Sequence, residues 1–186
     1  MNVSWVLSDK VVLDPLADLS ILKNIGSFWG SWKTWRACAT DNVICYDMNQ
    51  AQSLIKRQFQ KQCNFYIPNS LYTLLGRPPN VKLYEGNFVH DVDSQEEIIA
   101  MHLLASTSDI VLLLGFDLED RPKNPDKLIQ HRFLNYQNLI KQVIANNPET
   151  QWVLVDHEGE IGKIFESLGN LTKDSMDNVI ELLTNN

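Results

Sequence analysis

The sequence predicts an α/β protein with a central, mainly parallel β-sheet. The clearest observation is Ile110–Leu114, a run of five apolar residues, which is typical of a strand that helices cover on both faces. The preceding segment has helical periodicity and opens with Ser94 and Glu97 at the spacing of a capping box. Apolar segments of strand length alternate with helical segments along the whole chain, and no two strands are joined by a tight hairpin.

In the first half of the chain, Val3–Leu7 is the first predicted strand. A second apolar run at 11–13 either continues that strand or forms another one. Asp14 and Pro15 then suit the N-cap and first position of a helix that ends at Gly26. The elements that follow are strands at 43–46, 64–67 and 81–84, a helix at 50–62 and a short helical turn at 71–75.

The second half repeats this alternation more regularly. The predicted elements are a helix at 94–105, the strand Ile110–Leu114, a long helix at 125–145, a strand at 152–155, and helices at 161–168 and 175–183. Together these elements predict a single domain over residues 1–186, with a Rossmann-like three-layer fold and a sheet of five to six strands. Right-handed crossovers are expected, and an antiparallel edge strand near the N-terminus is left open.

Composition excludes several classes of function. The chain has 16 basic and 23 acidic residues and a net charge of −7, which argues against a nucleic-acid partner. Its three cysteines show no CxxC spacing, which fits reduced thiols in the cytoplasm. We find neither a signal-peptide pattern nor an apolar run of membrane-spanning length. We therefore expect a soluble, cytoplasmic protein with no membrane partner.

An unusual aromatic segment lies at 26–39, with the sequence GSFWGSWKTWRACA. If it is helical, Trp29, Trp32 and Trp35 share one face. Core packing is the favoured interpretation, and the alternatives are a ligand-pocket wall or a contact between copies in a homo-oligomer, since Trp and Arg are enriched at interface centres. Lys33 does not directly follow a glycine, so the segment is not a phosphate-binding P-loop.

Acidic residues follow most of the predicted strands. Because the carboxyl ends of parallel strands share one edge of the sheet, ligands bind in the crevice outside that edge. Some of these carboxylates also suit helix capping, Asp47 above all. The candidate ligand-binding residues are Asp9, Glu85, Asp117, Asp120, Asp156 and His157.

The chemistry of these side chains restricts the ligand. Clustered carboxylates repel bare phosphate but accept sugar hydroxyls, an amine, or a phosphate bridged by a divalent cation such as magnesium. The spacing of His90, Asp91, Asp93 and His157 matches no regular metal motif, so we assign no metal ligand. The expected small-molecule partner is a nucleotide or a sugar nucleotide.

One family resemblance covers roughly residues 95–170. The sequence DIVLLLGFDL, the polar loop and His131 after it, and the later VLVDHEGEIGKIFESL resemble bacterial sialyltransferase-like and motility-accessory-factor-type Rossmann-like proteins. The resemblance implies that Asp117 lies at a sugar-nucleotide donor site and that His131 is the catalytic base. That family's glycine-rich GxGPS-type loop has no counterpart in this chain.

Two hypotheses follow. In the first, the protein is a small Rossmann-like glycosyltransferase relative with a pocket bordered by Asp117, Asp156 and His131. In the second, it is a non-catalytic α/β module that binds a partner or itself through its tryptophans. The row of carboxylates favours the first hypothesis, and the missing glycine-rich loop favours the second.

Overall fold

The computed structural model describes residues 1–10, 19–85, 95–120 and 126–185. Within these residues, eight strands form one sheet in the order β5-β4-β3-β2-β1-β6-β7-β8, and all seven pairings are parallel. The strands are β1 Val3–Leu7, β2 Ser27–Gly30, β3 Asn42–Ile44, β4 Asn64–Pro68, β5 Lys82–Tyr84, β6 Ile110–Leu114, β7 Gln151–Val155 and β8 Leu171–Asp174. The predicted fold class is confirmed, with more strands than the five to six expected.

Helices connect these strands. They are α1 Leu19–Ile25, α2 Trp32–Cys38, α3 Met48–Lys56, α4 Asn69–Leu74, α5 Gln95–Leu104, α6 Lys127–Ala145 and α7 Met176–Thr184, with single 3₁₀ turns at Phe59–Lys61 and Lys163–Phe165. Among the helices described, none is long and apolar enough to cross a membrane.

Alternate residues of the central strands face different helix layers. Val6 and Leu113 pack with residues of α5 and α6 on one face. Trp5 and Leu112 pack with Leu22 of α1 and with α7 on the other, and α3 and α4 cover β3 and β4 there. A sheet with helices on both faces explains why β6 consists only of apolar residues.

Two strands of the sheet, β2 and β8, were not predicted from the sequence. β2 lies inside the segment that was considered as a helix, and it has only two large apolar residues, Phe28 and Trp29. β8 is an edge strand with the sequence LTKD, which pairs with β7 through its backbone and needs little apolar surface. The helix predicted at 161–168 is wrong: Gly162 is extended there and only the turn Lys163–Phe165 forms.

The position of the N-terminal strand had been left open. β1 is not an antiparallel edge strand but lies between β2 and β6, parallel to both. The run at 11–13 and the predicted start of α1 lie outside the described residues.

The three tryptophans do not share one helical face. Trp29 lies in β2 and its ring centroid is 4.9 Å from that of Tyr66. Trp32 and Trp35 lie in α2, stack on each other at 5.4 Å, and both meet the ring of Phe59 edge to face. All three are partly buried, Trp29 on the α5 face and the α2 pair against the α3 cluster. A homo-oligomer contact through them stays a prediction.

Candidate functional site

The strand order reverses between β1 and β6. From β1 the sheet grows outward to β5, and the chain then returns to place β6 on the other side of β1. α1 and α6, the helices that come next along the chain after these two strands, lie on opposite faces. In open α/β sheets, the crevice outside such a reversal is the usual ligand site.

The chain segments after β1 and β6 meet at this reversal. The Ser8 amide donates to the carbonyl of Leu114 over 3.0 Å, and Lys10 Nζ lies 3.5 Å from Asp117 Oδ2. Gly115 has a φ of +78°, a conformation that glycine adopts without a steric penalty. The turn at Gly115 therefore carries Asp117 toward the segment that follows β1.

Asp9 is held by the turn between β2 and α2. The Ser31 hydroxyl donates to Oδ1 of Asp9, and Lys33 Nζ lies 3.1 Å from Oδ2. A side chain at Gly30 would collide with the Thr34 side chain, so glycine allows the first turn of α2 to pack closely on the end of β2. The Asp9 side chain is 15% exposed and that of Lys33 is 73% exposed. Both carboxylate oxygens of Asp9 therefore have partners, while the lysine reaches solvent.

Glu97 anchors the same segment from below. It is 1% exposed and accepts hydrogen bonds from the Asp9 amide at 2.9 Å, from the Ser8 hydroxyl and from the Tyr136 hydroxyl. Burial raises the pKa of Glu97, and these hydrogen bonds oppose the rise. Glu97 thus ties β1, α5 and α6 together beneath the end of β1.

A cavity of about 410 Å³ opens beside Asp9. We call it the switch-point cavity, and the described residues that line it are Asp9, Ser31, Lys33, Tyr46, Asp47, Gln50 and Glu96. Burial, with smaller contributions from Asp9 and Glu97, raises the pKa of Glu96 to about 7, although its own amide and Lys33 oppose the shift. A carboxyl group that titrates near neutrality inside a cavity is typical of functional sites.

Other groups at this cavity have structural roles. Asp47 accepts from the Gln50 amide at 2.7 Å and caps α3, as the sequence analysis considered. The thiol of Cys45 is buried, which raises its pKa to about 12. A thiol that stays protonated at neutral pH is a poor nucleophile.

A second cavity of about 710 Å³ lies at the ends of β7 and β8. Its lining consists of Asp156, His157, Glu158, Lys173, Asp174 and Ser175. Asp156 has a φ of +52° and its Oδ1 accepts from the Met176 amide at 2.8 Å, so it holds the start of α7. His157 Nε2 is buried and has no hydrogen-bond partner within the described residues.

The structure divides the sequence-predicted ligand residues among several places. Asp9 lines the switch-point cavity, Asp117 pairs with Lys10, the residue that follows Asp9, and Asp156 and His157 line the second cavity. β6 and β7 are neighbours, so Asp117 and Asp156 follow adjacent strands at the same edge of the sheet.

Three other candidates lie elsewhere. Asp120 accepts from the Lys163 amide at 2.6 Å and fixes a loop. Glu85 is exposed after β5, the last strand of the sheet. Neighbouring strands are about 4.8 Å apart, which puts Glu85 about 19 Å from Asp9 across four strand spacings. His131 is exposed on α6, with Nε2 3.2 Å from Asn135 Nδ2.

Sequence reasoning missed the contributions of Ser31, Lys33, Glu96 and Glu97 to this site. Glu97 was interpreted only as part of a capping box, whose Ser94 lies outside the described residues. A signal existed for Glu97, because two adjacent glutamates precede a wholly apolar helical turn. No sequence signal placed α2 beside β1.

No metal centre emerges among the residues that the structure describes: no three His, Cys, Asp or Glu side chains group to hold an ion. His90, Asp91 and Asp93 lie outside them. A scan against models of known protein families finds no match to this chain. A search of curated protein sequences also finds no significant match.

Proposed function

We propose that this protein binds a sugar nucleotide at the switch point and is a relative of the glycosyltransferases. The observation that carries the proposal is the pair of ion pairs at the carboxyl end of β1, Lys33 with Asp9 and Lys10 with Asp117. The two lysine side chains are 73% and 61% exposed, so both ammonium groups can approach a phosphate from solvent.

Each part of the ligand has a complementary group. Lys10 and Lys33 offset the negative charge of the phosphates, which the acidic residues alone would repel. Inside the cavity, the side-chain amide of Gln50 donates hydrogen bonds to sugar hydroxyls. A volume of about 410 Å³ falls within the range of roughly 300–1,000 Å³ that is usual for small-ligand sites.

The first test is a binding measurement. Calorimetry and thermal unfolding of the full chain are run with a cytidine monophosphate sugar, a uridine diphosphate sugar and pyrophosphate, each with and without magnesium. We expect a sugar nucleotide to stabilise the protein, by about 2.7 kcal/mol at a concentration 100 times its Kd. Lys33→Ala should weaken binding at least tenfold.

The control is Glu149→Gln, a change of one charge at an exposed position that precedes β7 at the opposite edge of the sheet. It should bind as the unsubstituted protein does. The absence of any stabilisation by the sugar nucleotides, or equal affinities in Lys33→Ala and Glu149→Gln, contradicts the proposal. Stabilisation by pyrophosphate alone reduces the site to a phosphate site.

The second candidate function is self-assembly through α2. It is favoured by the stacked rings of Trp32 and Trp35, which are partly exposed, and by the Arg36 guanidinium 5.9 Å from the Trp32 ring. Light scattering after size-exclusion chromatography tests it: a dimer that Arg36→Ala converts to a monomer supports assembly, and a monomer at millimolar concentration removes it.

A further inference from the structure

Asp9 and Glu96 are two carboxyl groups in one cavity with different surroundings. Both oxygens of Asp9 are engaged, one by the Ser31 hydroxyl and the other by the Lys33 ammonium. The Glu96 carboxyl accepts from its own backbone N–H, and no described lysine or arginine lies within 4.0 Å of it. Among the described residues, the Glu96 carboxyl therefore has fewer fixed partners than that of Asp9.

The groups that face Glu96 come from several elements. Asp9 follows β1, Glu97 is its neighbour on α5, and Lys33 belongs to α2. Two further groups, Cys45 and Tyr84, interact electrostatically with Glu96, and Asp47 lines the same cavity. Burial and the neighbouring carboxyl groups of Asp9 and Glu97 disfavour a negative charge on Glu96 and favour its protonated form, whereas the Cys45 thiol and the Tyr84 hydroxyl are neutral at neutral pH.

We propose that Glu96 is the catalytic base of sugar transfer in the switch-point cavity. This inference rests on the proposed binding of a sugar nucleotide. The Glu96 carboxylate takes the proton of an acceptor hydroxyl, whose oxygen forms a bond to the anomeric carbon of the bound sugar. The bond from that carbon to the phosphate oxygen breaks, and the nucleotide leaves with the electron pair while Lys10 and Lys33 offset its charge.

The contrast between the two carboxyl groups supports this assignment. Where one site holds two acids in different environments, the environments divide the roles between a fixed charge and a proton carrier. Asp9 orients Lys33 and Ser31, whereas burial raises the pKa of Glu96 to about 7, close to the value that suits proton transfer at neutral pH. His131, the base that the family resemblance implies, is exposed on α6 and does not line this cavity.

The experiment separates binding from turnover. The full chain is incubated with the cytidine and uridine sugar nucleotides, with water as the acceptor, and the released nucleotide is quantified by chromatography between pH 5 and 9. Binding of the same compounds is measured by calorimetry. We expect turnover to rise about tenfold per pH unit up to about pH 7 and then to level off, as the base ionises.

Glu96→Gln should bind the sugar nucleotide within about threefold of the unsubstituted affinity but lose roughly 10²–10⁴-fold in turnover, and its remaining rate should not follow this pH profile. Glu149→Gln should keep both the rate and the profile. Circular dichroism of each variant confirms its fold.

Three results overturn the assignment while the binding function stands: binding without turnover, unchanged turnover in Glu96→Gln, or loss of the pH-dependent rate in His131→Ala but not in Glu96→Gln. If none of the sugar nucleotides binds, the proposed function fails and this inference fails with it.

Discussion

Glu96 makes the folded protein sensitive to pH. Its pKa is raised from 4.5 to about 7 by burial, so between these values the folded state binds more protons than the unfolded state does. The contribution of Glu96 to the free energy of unfolding is therefore fully present below about pH 4.5 and is lost as the pH rises through 7. A rise of this size in the pKa corresponds to a loss on the order of 3 kcal/mol in the free energy of unfolding.

Replacing Glu96 by glutamine should remove this loss. We expect Glu96→Gln to be more stable than the unsubstituted protein at pH 8 and to differ little at pH 5, as measured by urea unfolding at both values. The exposed Glu149→Gln carries the same change of charge and should not alter the difference between the two pH values. A Glu96→Gln variant that is less stable than the unsubstituted protein at pH 8 would contradict a destabilising carboxylate at this position.

Replacing Tyr136 tests whether Glu97 anchors the segment that carries Asp9. The Tyr136 hydroxyl donates to the buried Glu97 carboxylate, so Tyr136→Phe leaves an acceptor with one donor fewer. We expect a loss of about 1–3 kcal/mol in the free energy of unfolding at pH 7. In Tyr72→Phe, whose hydroxyl has no hydrogen-bond partner among the described residues, the loss should be much smaller. Equal losses in the two variants would show that Glu97 does not depend on this bond.

At the scale of elements, the burial of β6 gives a measurable contrast with the edge strand β5. Leu113 is fully buried between β1 and β7 under α5 and α6, and Leu113→Ala should cost about 2–5 kcal/mol of stability. Leu83 in β5 is 42% exposed, and Leu83→Ala should cost less than about 1 kcal/mol. Denaturant unfolding of both variants checks the ranking, and similar costs would refute the central position of β6.

The sequence predicted those elements that are defined by their own residues. β6 matches the predicted bounds, and α5 and α6 begin and end within a few residues of the prediction, because long apolar or periodic segments specify an element locally. β2 and β8 were missed because their pairing with neighbouring strands, and not their composition, makes them strands. Strand propensity depends on such context.

The prediction of the candidate site was limited in the same way, because some of its residues are brought together only by the tertiary structure. Asp9 and Asp117 were predicted as candidate site residues because the strand ends of a parallel sheet meet at one edge. Lys33 and Ser31 were not, since their position depends on β2, which inserts between β1 and β3 and carries α2 to the end of β1. Glu96 was not singled out, because the cavity that it lines is completed by residues of α2 and of the segments after β1 and β3, which no local pattern reports.

At the scale of the whole molecule, the strand order joins distant parts of the chain in one core. β1 pairs with β2 on one side and with β6 on the other. The β1–β5 half and the β6–β8 half therefore meet at the centre of one continuous sheet. The apolar cluster under α5 and α6 includes Ile44 from β3 and Trp152 from β7. A core shared in this way favours a single cooperative unfolding transition.

The tryptophans allow this cooperativity to be measured. Trp152 is buried in β7, whereas the other four tryptophans lie in β1, β2 and α2, so the fluorescence of Trp152→Phe reports only on the β1–β5 half. The substitution should cost about 1–3 kcal/mol, because it removes volume from a fully buried position. We expect the urea midpoint to fall equally by fluorescence and by far-ultraviolet circular dichroism. If the fluorescence midpoint stays at its original value while the circular dichroism midpoint falls, the two halves unfold separately and the shared-core argument is wrong.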